Sequence, residues 1–372
     1  MLATRRLVIL GATGTVGVQA IQLLAASSSS LEVVALSAHT RAVELAATGP
    51  DGAKRFLTSD LEQQGALLDW LRAGEYEICL NAVVGAAGLP FTAAVLGAGR
   101  DVALANKESL VMAGGLLAAL ATSTGAHIIP VDSEHSAIHQ CLPNGQGGAH
   151  VRQIFLTASG GALRDFPTAA LAQVTPAQAL AHPNWDMGPR ITIDSATMMN
   201  KAFEIIEAHW LFALAAKNIK VLIHRQSVVH SMVEFIDGSM LAQLGPPDMS
   251  FPIHYALHYP ERKPSPLQGF DPLLFSKLTF EEPNLEHFPA LALGWRAAAM
   301  GGDAGAVLNA ADEIAVQAFL DGNISFPDIT RFCAAALDSC CNGPMNDMEA
   351  VLAADQRGRA FVAAQLVKIS HS

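Results

Sequence analysis

Over the first third of the chain, short apolar runs at residues 7–10, 33–37, 78–84, 101–105 and 127–132 alternate with segments of helical period. Continuous hydrophobicity marks strands buried on both faces, and parallel strands need helical crossovers, so this alternation predicts a parallel, doubly wound sheet. Residues 78–99 and 109–131 carry no Asp, Glu, Lys or Arg. Each is long enough to suggest a bilayer crossing, since about 20 apolar residues suffice. Asn81, four glycines and Pro90 split the first into a strand, a turn and a helix, and Gly125 ends a helix in the second before a strand begins. Buried strand and helix pairs are therefore expected, and no membrane partner.

A length of 372 residues is too much for one ordinary core and suggests two or three domains. Strands are predicted at 153–157 and 221–224, followed by a hairpin (228–236 and 239–244) turning at Asp237-Gly238, with a helix from Ala196 to about Ala216. Six of the nineteen prolines fall between 260 and 289, which reads as a linker, and the alanine-rich remainder has helical period. The expected class is α/β: an N-terminal Rossmann-like parallel sheet, a central α+β catalytic domain and a small C-terminal helical domain. Boundaries are set at 1–132, 133–258, 259–284 (linker) and 285–372.

A net charge of −11, without clusters of Lys and Arg, disfavours nucleic acid. Five cysteines without C-x-x-C spacing indicate neither a disulfide framework nor a zinc site and fit a reducing cytoplasm. The N-terminal apolar run leads into a glycine loop rather than a cleavage site, so no secretory signal is expected.

That loop, GATGTVG at residues 11–17, joins the first strand to the first helix. Glycines let the backbone approach a pyrophosphate, and a helix N-terminus offers free N–H groups, so a nucleotide site is expected there. After the second strand, Ser37, Ala38, His39, Thr40 and Arg41 stand where an NAD site would carry an acid. This favours NADP, unless Arg41 only caps a helix. Asp132 and Glu134, at the carboxyl end of the last strand, are hard oxygen donors suited to Mg2+ or Mn2+, or alternatively a helix cap. A third acid could come from the segment 194–204, in which Asp194 or Ser195 is placed to cap a helix bearing Asn200, Lys201 and Glu204; the competing reading is a surface ion pair between Lys201 and Glu204. Ser159-Gly160-Gly161 reads as a small anion nest, and the loop HPNWDMG at 182–188 as a lid, the alternative being ordinary packing of Trp185. Lys107 ends the fourth strand at the same crevice.

Taken in order, GATGTVG, ANKESLVMAG, PVDSEHSAI, TASGG, HPNWDMG, IDSATMMNK with Glu204, QSVVHSMVEF, PPDM and LNAADEIAV resemble the 1-deoxy-D-xylulose 5-phosphate reductoisomerase family. The resemblance implies a homodimer with NADPH and Mg2+ or Mn2+ as cofactors (Co2+ is also admissible) and a small phosphorylated sugar as substrate. It implies that Asp132, Glu134 and Glu204 hold the metal. Ser159, Ser195, Asn200 and Lys201 would bind phosphate beside His182, while Lys107 and Ser133 would meet the reacting carbons. Trp185 would cover the substrate and Met187 would lie near the nicotinamide. Thr13, Gly14, Thr15 and Val16 would cradle the pyrophosphate, with Asn106, Glu108 and Gly188 nearby and His39, Thr40 and Arg41 at the 2′-phosphate. Lys107, Glu134, Glu204 and His182 would be catalytic.

The chain departs from the family pattern at Asp186, where Ser is usual, at Ala202-Phe203 for Gly-Leu, at Asp312 for Asn, and at Ser136 and His139. Asp186 adds a negative charge near a bound phosphate and is expected to weaken lid closure. Two rival readings stand beside this one. One is a short-chain dehydrogenase, whose Tyr-x-x-x-Lys appears formally at Tyr259–Lys263 but is broken by Pro260; the other is a catalytically idle nucleotide sensor.

Overall fold

Residues 7–10 of β1 (Arg5–Leu10) are wholly buried, as a strand covered on both faces must be. The computed structural model describes residues 4–27, 30–182, 188–269 and 271–370. Around β1 stand β2 (Leu31–Ala38), β3 (Lys54–Leu57), β4 (Ile78–Asn81), β5 (Asp101–Leu104) and β6 (Ile128–Pro130), all parallel in the order β3-β2-β1-β4-β5-β6. This is the doubly wound order, whose ligand crevice opens where connections from β1 and β4 part. β3 was not expected from sequence: it is a four-residue edge strand containing Lys54 and Arg55, and the Arg55 guanidinium serves the carbonyls of Leu45, Thr48 and Ala53.

The crossovers are α1 (Thr15–Ala26), α2 (Ala42–Ala46), α3 (Leu61–Ala73), α4 (Leu89–Gly97) and α5 (Lys107–Thr124), followed by α6 (Ser133–Cys141). The first charge-free stretch is thus β4 and α4, and the second is most of α5 and β6. Gly125 ends α5 in the left-handed conformation. Among the described residues no helix is long and apolar enough to cross a membrane.

The chain clusters into two units. The first comprises 1–109, 117–144 and 248–270, the second 110–116, 145–247 and 271–372. Within the first, α10 (Ser250–His258) adds Ile253, Ala256 and Leu257 to the core beneath the sheet. α10 ends at His258, so Tyr259 and Lys263 do not share a helix and the dehydrogenase-type motif has no helical support.

The second unit is built on a mixed sheet of β7 (Val151–Ala158), β8 (Ile219–Ile223), β9 (Val229–Phe235) and β10 (Met240–Leu244), in the order β10-β9-β7-β8. β9 and β10 form the expected hairpin, with Gly238 at a φ of 87° in its turn. After the short α7 (Pro176–Ala179) come α8 (Pro189–Thr197) and α9 (Met199–Leu211), then α11 (Ala290–Met300), α12 (Ala304–Leu320), α13 (Phe326–Cys340) and α14 (Met348–Ser370).

Two expectations are corrected here. The single helix from Ala196 to Ala216 is two helices, broken at Met198, whose φ is 63°, where the Thr197 hydroxyl accepts from the Met199 N–H and starts α9. Because α8 begins at Pro189, Asp194 and Ser195 lie inside a helix and do not cap one. The departure at Ala202-Phe203 is a packing matter: a Cβ on Gly294 of α11 would fall 2.5 Å from the Ala202 Cα, so it is Gly294 that makes room for the added methyl.

Candidate active site

In the first unit, the loop after β1 is shaped for close approach. Gly11 has a φ of 78°, and a Cβ there would stand 2.5 Å from the Ala82 carbonyl oxygen; a Cβ on Gly17 would stand 2.4 Å from the Gly11 oxygen. Gly14 precedes α1 with no side-chain cap hydrogen bond, so no side chain caps the first N–H groups of the helix, those of Thr15 and Val16. Arg41 occupies the position before α2 without a side-chain cap hydrogen bond, and donates to the Thr13 carbonyl at 3.1 Å. His39 pairs with Thr58 at 3.3 Å, and Thr40 is exposed beside it.

Asn106 is buried, and its amide donates to the Val83 and Gly85 carbonyls at 2.8 and 2.9 Å and to Glu108 at 2.9 Å, while its oxygen caps α5 at Ser109. Asn106 thereby pins the loop after β4, which faces Gly11. At the end of β6, Asp132 caps α6 by accepting from the Glu134 and His135 N–H groups at 3.1 and 3.2 Å. Its other oxygen lies 2.9 Å from the Lys107 Nζ, and Ser133 donates to Glu134 at 2.9 Å. The cap reading and the ligand reading of Asp132 are thus compatible, because capping uses one oxygen.

In the second unit, β7 delivers Ser159, and Gly160 and Gly161 follow at φ values of 88° and 71°. The Ser159 hydroxyl is 3.2 Å from the His182 Nε2 and accepts from the Gly161 N–H at 3.3 Å. A Cβ on Gly161 would stand 2.4 Å from the Ser195 carbonyl oxygen, so the glycine lets this loop sit directly on α8. His182 is pushed below the ordinary histidine range, first by burial and then by the charge of Arg164. One turn into α9, Lys201 and Glu204 form an ion pair at 2.5 Å, and Asn200 donates to Glu204 at 2.7 Å. The surface-pair reading is corrected: Lys201 is 5% exposed and Glu204 fully buried.

The unit therefore brings Ser159, His182 and Ser195 to one loop and helix, and Asn200, Lys201 and Glu204 to the helix that follows. Gly188 precedes α8 and is exposed. Trp185, Asp186 and Met187 lie outside the described residues.

Sequence reasoning missed two groups. Arg164 donates to the Ser159 carbonyl at 2.6 Å. Arg190, in the first turn of α8, reaches Asn309 at 2.7 Å, Glu313 at 3.2 Å, Asp312 at 3.6 Å and Asp194 at 3.8 Å, tying α8 to α12. Each arginine lies close in sequence to a suspected site residue, which was the only signal available.

Comparison with known proteins then decides the family. The family model for 1-deoxy-D-xylulose 5-phosphate reductoisomerase matches residues 7–56 and 52–114, and the models for its C-terminal domains match 128–212 and 244–361. The reductoisomerase of Cupriavidus metallidurans is 46% identical over 97% of this chain and 98% of its own length. The chain belongs to the 1-deoxy-D-xylulose 5-phosphate reductoisomerase family. The reductoisomerase of Cellvibrio japonicus is 44% identical over 96% of this chain and 97% of its own. Among solved structures, the Zymomonas mobilis reductoisomerase in complex with NADPH superposes with a TM-score of 0.89 at 40% identity, covering 97% of this chain and 99% of that one. A reductoisomerase in complex with NADPH, fosmidomycin and magnesium gives 0.89 at 37% identity, covering 98% and 99%.

Proposed function

We propose that this chain converts 1-deoxy-D-xylulose 5-phosphate to 2-C-methyl-D-erythritol 4-phosphate, using NADPH and a divalent cation, in isoprenoid precursor synthesis. The observation that carries this reading is near-complete similarity to reductoisomerases, 46% identical over 97% of the chain, together with residues that fit both groups. For the nucleotide, the fit lies in the Gly11 and Gly17 cradle, where a Cβ would collide with backbone. For the cation, it lies in the donor set: Asp132 and Glu134 supply hard oxygens at the end of a parallel strand, and Asp132 already attracts the cationic Lys107. Glu204, buried and ion-paired, is proposed as the third ligand.

In this reading Asp132, Glu134 and Glu204 would hold a divalent cation, which would supply Lewis-acid polarisation of substrate oxygens, and the glycine loop would hold NADPH, which would supply hydride. Ser159, Ser195, Asn200 and Lys201, with His182, hold the phosphate and fix the carbon chain in place. Lys107 and Ser133 bear on the reacting carbons, and the Glu134 carboxylate, already accepting from Ser133, is placed to receive a hydroxyl proton. One carbon–carbon bond breaks as another forms, and the resulting aldehyde is reduced to the alcohol. Thr13, Gly14, Thr15 and Val16 are assigned to the pyrophosphate, His39, Thr40 and Arg41 to the 2′-phosphate, and Asn106, Glu108 and Gly188 to the rest of the cofactor. Trp185 and Met187 are assigned to cover substrate and nicotinamide.

The chain is further proposed to act as a homodimer in the cytoplasm. Support for the dimer comes from β10, an edge strand whose Met240 and Leu241 are about half exposed, beside the exposed Ile236. Five free cysteines support a reducing compartment. The segments 1–132, 133–258, 259–284 and 285–372 are the proposed nucleotide, catalytic, linker and helical parts. Mn2+ titration of Asp132→Asn and Glu204→Gln tests the ligand assignment: each should weaken binding at least tenfold, and native affinity in both would remove it.

A further inference from the structure

Ser159 projects from the end of β7 on a backbone that two left-handed glycines would otherwise leave loose. The Arg164 side chain restrains it. Arg164 donates from Nη1 to the Ser159 carbonyl at 2.6 Å, and its aliphatic stem lies across Gly160, where a Cβ would stand 2.9 Å from the Arg164 Cβ and 3.0 Å from its Cδ. Arg164 also makes a longer contact, from Nε to Asp165 at 3.4 Å, and that carboxylate is gripped more closely by Arg225, at 2.8 and 3.0 Å. Arg225 in turn reaches Glu281 at 2.8 Å. The Arg164 guanidinium thus makes a short contact to the Ser159 carbonyl, at 2.6 Å, and a longer one to Asp165, at 3.4 Å.

We propose that Arg164 is a positioning residue of the substrate-phosphate pocket, clamping Ser159 so that its hydroxyl, paired with His182, meets the phosphate group. This rests on the reading of Ser159, His182 and Ser195 as phosphate-binding residues. The clamp acts on a loop already seated on α8 at Ser195, so a shift of Ser159 would also change its spacing to that helix. A guanidinium suits the task, since its planar fork can hold a carbonyl in a fixed direction while the stem packs over a glycine; an ammonium on a flexible stem cannot do both. The positive charge has a second effect. It adds to burial in holding His182 below its ordinary range, which keeps the ring neutral and able to accept from a hydroxyl or donate to phosphate.

The test uses full-length Arg164→Gln and Arg164→Lys with Ser159→Ala and His182→Gln as references. Arg164→Gln is expected to raise the KM for 1-deoxy-D-xylulose 5-phosphate about tenfold or more, to change kcat less than about threefold, and to leave the KM for NADPH unchanged. Its His182 ring should titrate at higher pH, read by NMR. Arg164→Lys should raise KM as well while leaving the His182 titration near native, because it restores charge without the clamp. Should Arg164→Gln fail to fold, Arg164→Lys alone carries the KM test. A substrate KM within twofold of native in the folded Arg164 variants, when Ser159→Ala and His182→Gln raise it, overturns the proposal alone. A native KM in the Ser159 and His182 variants overturns the phosphate reading and the proposal with it.

Discussion

The Lys107 ammonium lies 2.9 Å from one carboxylate oxygen of Asp132, while the other oxygen caps the helix that carries Glu134. A fixed cation on a proposed metal ligand competes with the metal. Lys107→Met should therefore tighten Mn2+ binding, by about tenfold if the pair contributes about 1.4 kcal/mol, while lowering kcat by at least ~100-fold. Calorimetric Mn2+ titration and steady-state kinetics read the two effects separately. Unchanged Mn2+ affinity would show that Lys107 yields Asp132 at no cost.

The glycine cradle predicts a contrast between two positions. Gly11→Ala places a methyl against the Ala82 carbonyl at a left-handed φ of 78°, and should abolish measurable NADPH binding with a loss of several kcal/mol of stability, by about the cost of overpacking plus backbone strain. Gly65→Ala, inside α3 with no atom within 4 Å of the added Cβ, should stabilise by about 0.5–1 kcal/mol and leave NADPH binding native. Thermal melts with and without NADPH check both.

Asp312 is fully buried, with the Arg190 guanidinium 3.6 Å from its carboxylate and Asp194 beside it. Burial pushes its carboxyl up to about 6, against the pull of Arg190. Asp194, Glu313 and the Cys333 thiol share this pocket, with Arg359 neutralising Glu313 from α14. A carboxyl whose folded pKa exceeds its unfolded value favours the fold below about pH 4, and that contribution is lost as pH rises through about 6. Asp312→Asn should accordingly be more stable than the native chain at pH 7–8, by on the order of 1–3 kcal/mol, with the advantage vanishing near pH 4. Denaturant midpoints across pH 4–8 measure this; equal midpoints at pH 8 would contradict it.

Much of this was legible in the residues. Buried parallel strands and the glycine loop announce themselves because continuous apolar runs and backbone crowding leave few alternatives, as at residues 7–10 and Gly11. The break at Met198 was not legible: a methionine carries no signal for a left-handed conformation, which is imposed by the packing of two helices and by the Thr197 cap. β3 escaped because an edge strand of four residues, two of them basic, need not look hydrophobic. For the Lys201–Glu204 pair, an i,i+3 spacing gives the contact but not the burial, which depends on elements distant in sequence. Arg164 escaped for a similar reason, since its partner is a backbone carbonyl and carbonyls leave no mark in a sequence.

The most direct test is turnover by the purified chain on 1-deoxy-D-xylulose 5-phosphate, following NADPH absorbance and identifying the product by NMR. The account predicts stoichiometric conversion of NADPH and substrate to 2-C-methyl-D-erythritol 4-phosphate, dependent on Mg2+ or Mn2+ and abolished by chelation and by Glu204→Gln. NADPH binding without turnover on that substrate, in the presence of either cation, would contradict it.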